Sequence, residues 1–271
     1  MFVADLHNDL VQRMMIGEDV TQNTSSGHTD IERLKLSSID LEVMIVWASE
    51  KEANTSYFDF ALKMYDKLKA LNNIEGVTVP ISLDDIKSAK EKNELSLPIG
   101  MEGGEALENK IENLEFFIDK GLFYFGPTWN HSLDWVSSGY GETHKKNSLK
   151  TFGLNKFGVE VVHICQENNV LIDVSHIGEK SFWDIKENSK KPFIASHSSV
   201  HNLCPHFRNL KDDQIKAIKD AKGLVGLNPY PFFIDPKFKI REEKIRNQYR
   251  EKLNEIAKNQ ETTAGKWIAK Q

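Results

Sequence analysis

Cysteines and long apolar runs are both scarce in this chain. Its 271 residues include two cysteines, Cys165 and Cys204, too few for a disulfide framework and without the paired spacing of a zinc finger. No uninterrupted apolar stretch approaches the roughly 18 residues that cross a bilayer. A disulfide-stabilised scaffold and a membrane span are therefore excluded, and the cysteine usage is typical of a reducing compartment.

An excess of charge of one sign is also absent. The chain has 35 Lys and Arg against 40 Asp and Glu, for a formal net charge of −5, so bulk electrostatics argues against nucleic-acid binding. Instead of a charged leader with an apolar core, a strand-like run begins at Phe2. We expect a cytoplasmic globular protein, unless a leader has been removed from the chain.

Short apolar runs alternate with amphipathic ones along the sequence. Strands are predicted at Phe2–Asp9, Leu41–Ala48, Leu97–Glu102, Leu122–Thr128, Val170–His176, Pro192–His197 and Leu224–Asn228. Helices are predicted near Ser56–Leu71, Ala106–Asp119, Asn155–Gln166, Glu179–Lys186 and Asp212–Asp220, and a helical pattern continues at Arg241–Ala257. The repeated strand–helix order favours an α/β fold with a parallel sheet.

No linker interrupts this alternation, which predicts a single domain over residues 1–271. A (β/α)8 TIM-type barrel needs eight strands, and only seven are readable. A doubly wound open sheet tolerates seven, but it predicts a glycine-rich phosphate turn after the first strand, and Asn8-Asp9-Leu10-Val11 is not one. The sequence therefore favours a TIM-type barrel whose C-terminal end is incomplete.

Side chains that can bind metal stand at the ends of several predicted strands. His7 and Asp9 alternate onto one face of the first strand, Glu102 ends the third, and His176 and His197 end the fifth and sixth. Each alone has an ordinary structural explanation, such as a helix cap or a hydrogen-bonded histidine. Five together at one end of a barrel predict a site for zinc or a related divalent ion.

Such a set of nitrogen and oxygen donors can hold two ions that share a hydroxide, with Glu102 placed to bridge them. The ions would lower the pKa of the shared water and polarise a scissile carbonyl, so that neither cysteine is needed as a nucleophile. Asp173 does not share the parity of the ligands and is expected either to stabilise the structure or to support the ligands from behind. The predicted reaction is a hydrolysis.

The order of motifs resembles the membrane dipeptidases, also called renal dipeptidases, which are zinc-dependent barrel enzymes of the amidohydrolase-like group. The resemblance extends from Asp5 to about Phe233. Its motifs are Asp5-Leu6-His7-Asn8-Asp9-Leu10, Met101-Glu102-Gly103-Gly104, Thr128-Trp129-Asn130-His131, Phe152-Gly153-Leu154 with Gly158, Leu171-Ile172-Asp173-Val174-Ser175-His176, Ser196-His197-Ser198 and Arg208-Asn209-Leu210. Only the whole set in this order is specific.

The resemblance implies a dipeptide substrate and two bound Zn²⁺ ions. The implied ligands are His7 and Asp9 for one ion, His176 and His197 for the other, and Glu102 as the bridge. It also implies that Arg208 pairs with the terminal carboxylate of the substrate, for which a planar guanidinium offers bidentate geometry.

Two positions depart from the family pattern. Many members have Leu-Thr-His after the fourth strand, where the histidine helps to hold the substrate, whereas this chain has Pro127-Thr128-Trp129. Trp129 is thus a candidate substrate contact, and a catalytic role for His131, two residues later, stays open. Members also carry an Asp in a Gly-Ser-Asp-Phe-type run at the eighth strand, and no such run occurs here.

The missing run has three explanations: a shortened chain, a barrel that closes differently, or a paralogue that keeps metal without catalysis. We favour a shortened chain, because an open barrel exposes apolar core along both edges. Such a chain is expected to bind metal but to hydrolyse dipeptides slowly or not at all. The alternatives are a metal-binding module and a hydrolase of another amide or of a phosphoester; a homodimer stays open.

Overall fold

The computed structural model describes residues 1–48 and 56–258. The strands there are β1 Ala4–Asn8, β2 Leu41–Val46, β3 Val77–Thr78, β4 Leu95–Ser96, β5 Ile99–Glu102, β6 Leu122–Gly126, β7 Leu171–Ile172, β8 Ala195–Ser198 and β9 Val225–Leu227. The helices are α1 Leu10–Met15, α2 Ile31–Leu36, α3 Tyr57–Ala70, α4 Leu83–Lys92, α5 Ile111–Asp119, α6 Gly139–His144, α7 Lys156–Glu167, α8 Glu179–Asn188, α9 Asp212–Asp220, α10 Pro236–Gln248 and α11 Arg250–Lys258.

The strands follow the order of a parallel barrel. β1 pairs with β2, β2 with β5, β5 with β6 and β6 with β7, all parallel. A parallel bridge between Asp173 and Ile194 leads on to β8, which pairs with β9, while β3 and β4 are short additions beside β2. Across residues 1–48 and 56–258 no strand ladder joins β9 back to β1, so the barrel is not closed.

The core has two layers, one inside the ring of strands and one beneath the helices. Val43 and Ile45 of β2 pack in the same cluster as Tyr124 of β6, whereas Met44 and Val46 belong to the larger cluster that includes the helices. Every residue of β2 is buried, as expected for a strand covered on both faces. This arrangement directs the carboxyl ends of the parallel strands toward one end of the molecule.

Helix α3 shows how these elements form. Ser56 accepts a hydrogen bond from the backbone N–H of Asp59 and caps the first turn, as a serine does at this position. The buried residues of α3 are Ala61, Met64, Tyr65 and Leu68, and their spacing places them on one face of the helix. The predicted helix Ser56–Leu71 is confirmed. No helix in the described part of the chain is long and apolar enough to cross a bilayer.

Two of the predicted helices are each divided in the structure. Ala106–Asp119 is a 3-10 turn followed by α5, because Glu108 and Asn109 adopt left-handed backbone angles, with φ of 49° and 57°. Arg241–Ala257 comprises the end of α10 and most of α11, because Tyr249 leaves the helical region at φ −107° and ψ 12°. The helical spacing of apolar residues continues across both breaks, so the sequence did not predict them.

Several predicted strands are longer than the observed ones. Val170–His176 forms a ladder only at Leu171–Ile172, and His176 lies in the turn that follows. Pro192–His197 begins its ladder only at Ala195. Four short helices were not predicted from the sequence. They have six to ten residues each and are α1, α2, α4 and α6. Two or three turns provide too few apolar positions to establish a period.

Candidate metal centre

Four of the predicted ligands converge at the carboxyl ends of the strands. His7 lies in β1, Glu102 ends β5, His176 follows β7 and His197 lies in β8. Glu102 Oε1 is 3.0 Å from His176 Nε2, 3.6 Å from His197 Nε2 and 3.8 Å from His7 Nε2. The Nε2 atoms of His176 and His197 are 3.1 Å apart. One carboxylate oxygen therefore faces three imidazole nitrogens that come from separate parts of the chain.

Asp9, the fifth predicted ligand, lies at the rim of this cluster. Its Oδ1 is 3.9 Å from His7 Nε2, and its side chain is 53% exposed. The prediction that Asp9 projects from the first strand is wrong, because β1 ends at Asn8 after a register shift between Asp5 and Asn8. The turn into α1 brings the carboxylate near His7 instead. Within the described residues its side chain does not cap α1 and is free to face the centre.

Burial sets the protonation of the cluster. Burial raises the pKa of Glu102, an effect opposed by the charges of His7 and Arg208. Burial also holds the pKa values of His176 and His197 well below the usual range. Both imidazoles are therefore neutral at pH 7, and the neutral ring is the form that offers a lone pair to a metal ion.

The donor set fits a divalent metal ion. Glu102 Oε1 is buried and has no hydrogen-bond partner among the described residues, a situation that costs roughly 1–3 kcal/mol when nothing compensates it. The ligand atoms of His7, Glu102 and His197 all lie within 4.8 Å of one another. Bonds of about 2.0–2.1 Å to a tetrahedral ion place ligand atoms roughly 3.3 Å apart. The distances from Glu102 Oε1 to the three Nε2 atoms, 3.0 to 3.8 Å, lie on either side of this value.

Tyr124 holds His7 in place from inside the barrel. Its hydroxyl donates to the backbone oxygen of Leu6 at 2.9 Å and lies 3.0 Å from His7 Nδ1. Because the hydroxyl hydrogen is used, His7 Nδ1 must donate to it, so the neutral form of the ring has its lone pair at Nε2, toward the centre. A Cβ at Gly100 would lie 2.8 Å from Tyr124 Cζ, so glycine makes room for this ring. Sequence reasoning missed Tyr124, since an aromatic residue within a strand is usually core.

Arg208 lies in the loop after β8 and is buried beside the cluster. Its Nη2 donates to the backbone oxygen of His197 at 3.2 Å, and its Nη1 has no partner among the described residues. Burial lowers the pKa of Arg208 to about 10, against the opposing effect of Glu102, so the guanidinium is a cation at neutral pH. Arg208 also lines a cavity of about 480 Å³ with Ser175 and Phe207. The predicted anion-binding residue thus lies next to the predicted ligands.

The indole ring of Trp129 lies near the cluster of predicted ligands. Its ring is 6.5 Å from that of His176 and 5.8 Å from that of Trp47, between ring centroids. His131 is exposed, and the centroid of its ring lies 5.8 Å from that of Trp129. A substrate contact by Trp129 and a catalytic role for His131 both stay predictions.

The chain belongs to the membrane dipeptidase family, peptidase family M19, whose family model matches residues 1–264. An uncharacterised protein of Acinetobacter calcoaceticus is 36% identical over 156 residues, which is 57% of this chain and 49% of that protein. The chain spans about half the length of the curated relatives that it matches.

Two solved structures share the fold. The dipeptidase AC, a metallopeptidase, has a TM-score of 0.77 and 24% identity and covers 87% of this chain and 74% of its own. The second is a metallopeptidase from Rhodobacter sphaeroides with a bound phosphinate mimic of the dipeptide L-Ala-D-Ala. It has a TM-score of 0.76 and 24% identity, and the match covers 87% of this chain and 76% of that protein. These similarities confirm the TIM-type barrel that the sequence predicted.

Proposed function

We propose that this chain forms the catalytic barrel of a metal-dependent dipeptidase. Two divalent ions, zinc or similar, would be held by His7, Asp9, Glu102, His176 and His197. The observation that carries the proposal is Glu102 Oε1, a buried oxygen without a hydrogen-bond partner among the described residues, within 3.8 Å of three imidazole nitrogens. Membership of the membrane dipeptidase family supports the same function.

When bound, such a pair of ions supplies a hydroxide at neutral pH and polarises the scissile carbonyl. The chain's own residues then hold and orient the substrate. Arg208 carries a buried positive charge beside the ligands and would pair with the terminal carboxylate of a dipeptide. Trp129 would cover an apolar side chain of the substrate, and His131 is the candidate for transferring a proton to the leaving amine.

L-Ala-D-Ala is the first substrate to test. The similar metallopeptidase of Rhodobacter sphaeroides binds a phosphinate mimic of this dipeptide. The buried guanidinium of Arg208 lies next to the ligand cluster and matches the one free carboxylate of a dipeptide. We therefore propose that the substrate class is short peptides with a free carboxylate.

The test combines metal content with turnover. The chain is stripped with a chelator and reloaded with Zn²⁺; bound metal is measured by elemental analysis and alanine release by chromatography. We expect about two ions per chain and hydrolysis that is metal-dependent but slow, because this sequence lacks the Asp-containing run expected at the eighth strand. Glu102→Gln should lose both, whereas Glu115→Gln, on the exposed surface of α5, should keep both.

Other outcomes select the alternatives. If the chain binds metal but hydrolyses only a different amide or a phosphoester, it is a hydrolase of that substrate and not a dipeptidase. Metal binding without turnover of any of these substrates would support a binding module. Absence of bound metal after reloading would overturn the proposed centre altogether.

A further inference from the structure

Asp173 lies between β7 and β8 and is only 4% exposed. Its Oδ1 accepts from the backbone N–H of Ser196 at 2.8 Å, from that of Ser175 at 3.1 Å and from the Ser175 hydroxyl at 2.6 Å. Its Oδ2 accepts from the Ser196 hydroxyl at 2.6 Å. Four donors thus point at two oxygens, so the carboxyl group of Asp173 acts only as an acceptor.

A chain of hydrogen bonds runs from Asp173 to one of the predicted ligands. Ser196 Oγ is 2.7 Å from His197 Nδ1. Since the single hydrogen of the Ser196 hydroxyl is donated to Asp173, its oxygen can only accept from His197 Nδ1. Two other hydroxyls near Ser196 Oγ do not change this result. That of Ser175, at 3.1 Å, donates its own hydrogen to Asp173, and that of Tyr124 donates its hydrogen to the backbone oxygen of Leu6.

The direction of these bonds fixes the tautomer of His197. A neutral imidazole has one N–H group, and here it is at Nδ1. The other nitrogen, Nε2, therefore carries the lone pair, and it is the atom that lies 3.6 Å from Glu102 Oε1. We propose that Asp173 is a positioning residue, which acts through Ser196 to keep the proton of His197 on Nδ1 and so presets Nε2 as a metal ligand.

Neither of the other two histidines of the cluster is held in the same way as His197. His176 Nδ1 is buried, and among the described residues it has no hydrogen-bond partner. His7 and His197 are each held by a hydroxyl, of Tyr124 and Ser196 respectively, but only the hydroxyl on His197 is itself oriented by a carboxylate. The role of this tautomer rests on the proposed metal centre, whereas the tautomer itself follows from the hydrogen bonds and does not require bound metal.

Asp173→Asn provides a sharp perturbation. The two backbone N–H groups at Oδ1 require an acceptor there, so the amide nitrogen takes the Oδ2 position and faces Ser196 Oγ. The Ser196 oxygen then accepts from Asn and must turn its own hydrogen toward His197 Nδ1. His197 would carry its proton on Nε2, where it blocks the metal. The variant replaces one oxygen by an NH₂ group but reverses the direction of the hydrogen bonds that run from residue 173 through Ser196 to His197.

Two measurements test the proposal. Zinc affinity is measured by competition with a chromophoric chelator, and the tautomer of His197 by ring ¹⁵N shifts in metal-free, histidine-labelled protein. We expect the wild-type protein to show Nδ1–H, and Asp173→Asn to show Nε2–H with zinc bound about 10–100-fold more weakly. The matched control is Ser198→Ala in the same strand, since the buried hydroxyl of Ser198 has no partner within the described residues. It should leave both readouts unchanged.

Each result decides the proposal. Wild-type zinc affinity in folded Asp173→Asn, or an unchanged tautomer with weaker binding, overturns it. If Asp173→Asn does not fold, Ser196→Ala replaces it: loss of the Nδ1–H preference supports the chain of bonds and its retention refutes it. If the wild-type protein binds no zinc, the proposed function fails, but the tautomer measurement still tests the role of Asp173.

Discussion

Glu42 provides a test of how the barrel holds a buried acid. The residue lies in β2, is 1% exposed, and accepts a hydrogen bond from the side-chain amide of Asn8, which stands between the predicted ligands His7 and Asp9. Its Oε2 has no partner in the described part of the chain. Burial, with a smaller effect from Asp5, raises the pKa of Glu42 from 4.5 to about 7 despite the bond from Asn8.

The magnitude follows from this difference in pKa. A folded-state pKa above the unfolded one means that the folded protein binds the proton more tightly. Stability from this group is therefore fully present below pH 4.5 and is lost as the pH rises through about 7. At about 1.4 kcal/mol per pKa unit, the loss amounts to about 3 kcal/mol. Glu42→Gln keeps the shape and an acceptor for Asn8 but cannot ionise, so it should avoid this loss.

Urea unfolding of both proteins at pH 5 and pH 8 measures the effect. We expect the variant to be more stable by less than about 1 kcal/mol at pH 5 and by about 3 kcal/mol at pH 8. All other titrating groups are common to both proteins and cancel in the difference. Glu115→Gln, on the exposed surface of α5, controls for the loss of one carboxylate without burial. The same difference at both pH values would refute the buried neutral acid.

Three further predictions concern the substrate, the core and the metal. Arg208→Lys should keep the charge but lose the bidentate fork, reducing kcat/KM for dipeptides about 10–100-fold while barely affecting an amidated dipeptide. Phe182→Ala should lower the free energy of unfolding in urea by about 3–5 kcal/mol, because Phe182 is fully buried. Zinc should raise the Tm of the stripped protein in calorimetry, and Glu102→Gln should abolish that rise.

The controls for these predictions come from the same chain. Equal losses on free and amidated dipeptides would reject carboxylate binding by Arg208. Leu36→Ala, at a position 82% exposed, should change the free energy of unfolding by less than about 0.5 kcal/mol, and a loss as large as that of Phe182→Ala would contradict the assigned core. An equal rise in Tm with zinc in Glu102→Gln would show that the metal binds elsewhere.

The order of strands and helices could be predicted because each apolar run is long enough to show its period. The predicted strand Leu41–Ala48 contains β2, in which every residue is buried, and the predicted helix Ser56–Leu71 contains α3, with a capping serine and four buried positions. Helix α6 could not be predicted. Its six residues include two glycines, and it is held by the Ser138 cap and its surroundings and not by its own periodicity.

The ligands could be predicted because strand ends in a parallel barrel share one location, so that adjacency along the chain is not needed. Alternation failed at Asp9, since it assumes that the strand continues, and β1 ends one residue earlier. The supporting contacts depend on register between distant strands. The hydroxyl of Tyr124 reaches His7 across 117 positions of sequence, and Ser196 meets Asp173 across 23. A single sequence does not encode such pairings in any local pattern.

The distribution of unsatisfied polar atoms links the fold to the site. Buried atoms without hydrogen-bond partners among the described residues include Glu102 Oε1, His176 Nδ1 and Arg208 Nη1, all in or beside the same cluster. Each costs roughly 1–3 kcal/mol, and a fold selected for stability alone would replace such groups with apolar ones. By contrast, Asp173 in the same barrel has both oxygens satisfied. The carboxylate that supports His197 is therefore fully bonded, whereas Glu102 Oε1, which faces the three imidazoles, has no partner among the described residues, as expected of an atom that binds a charged group.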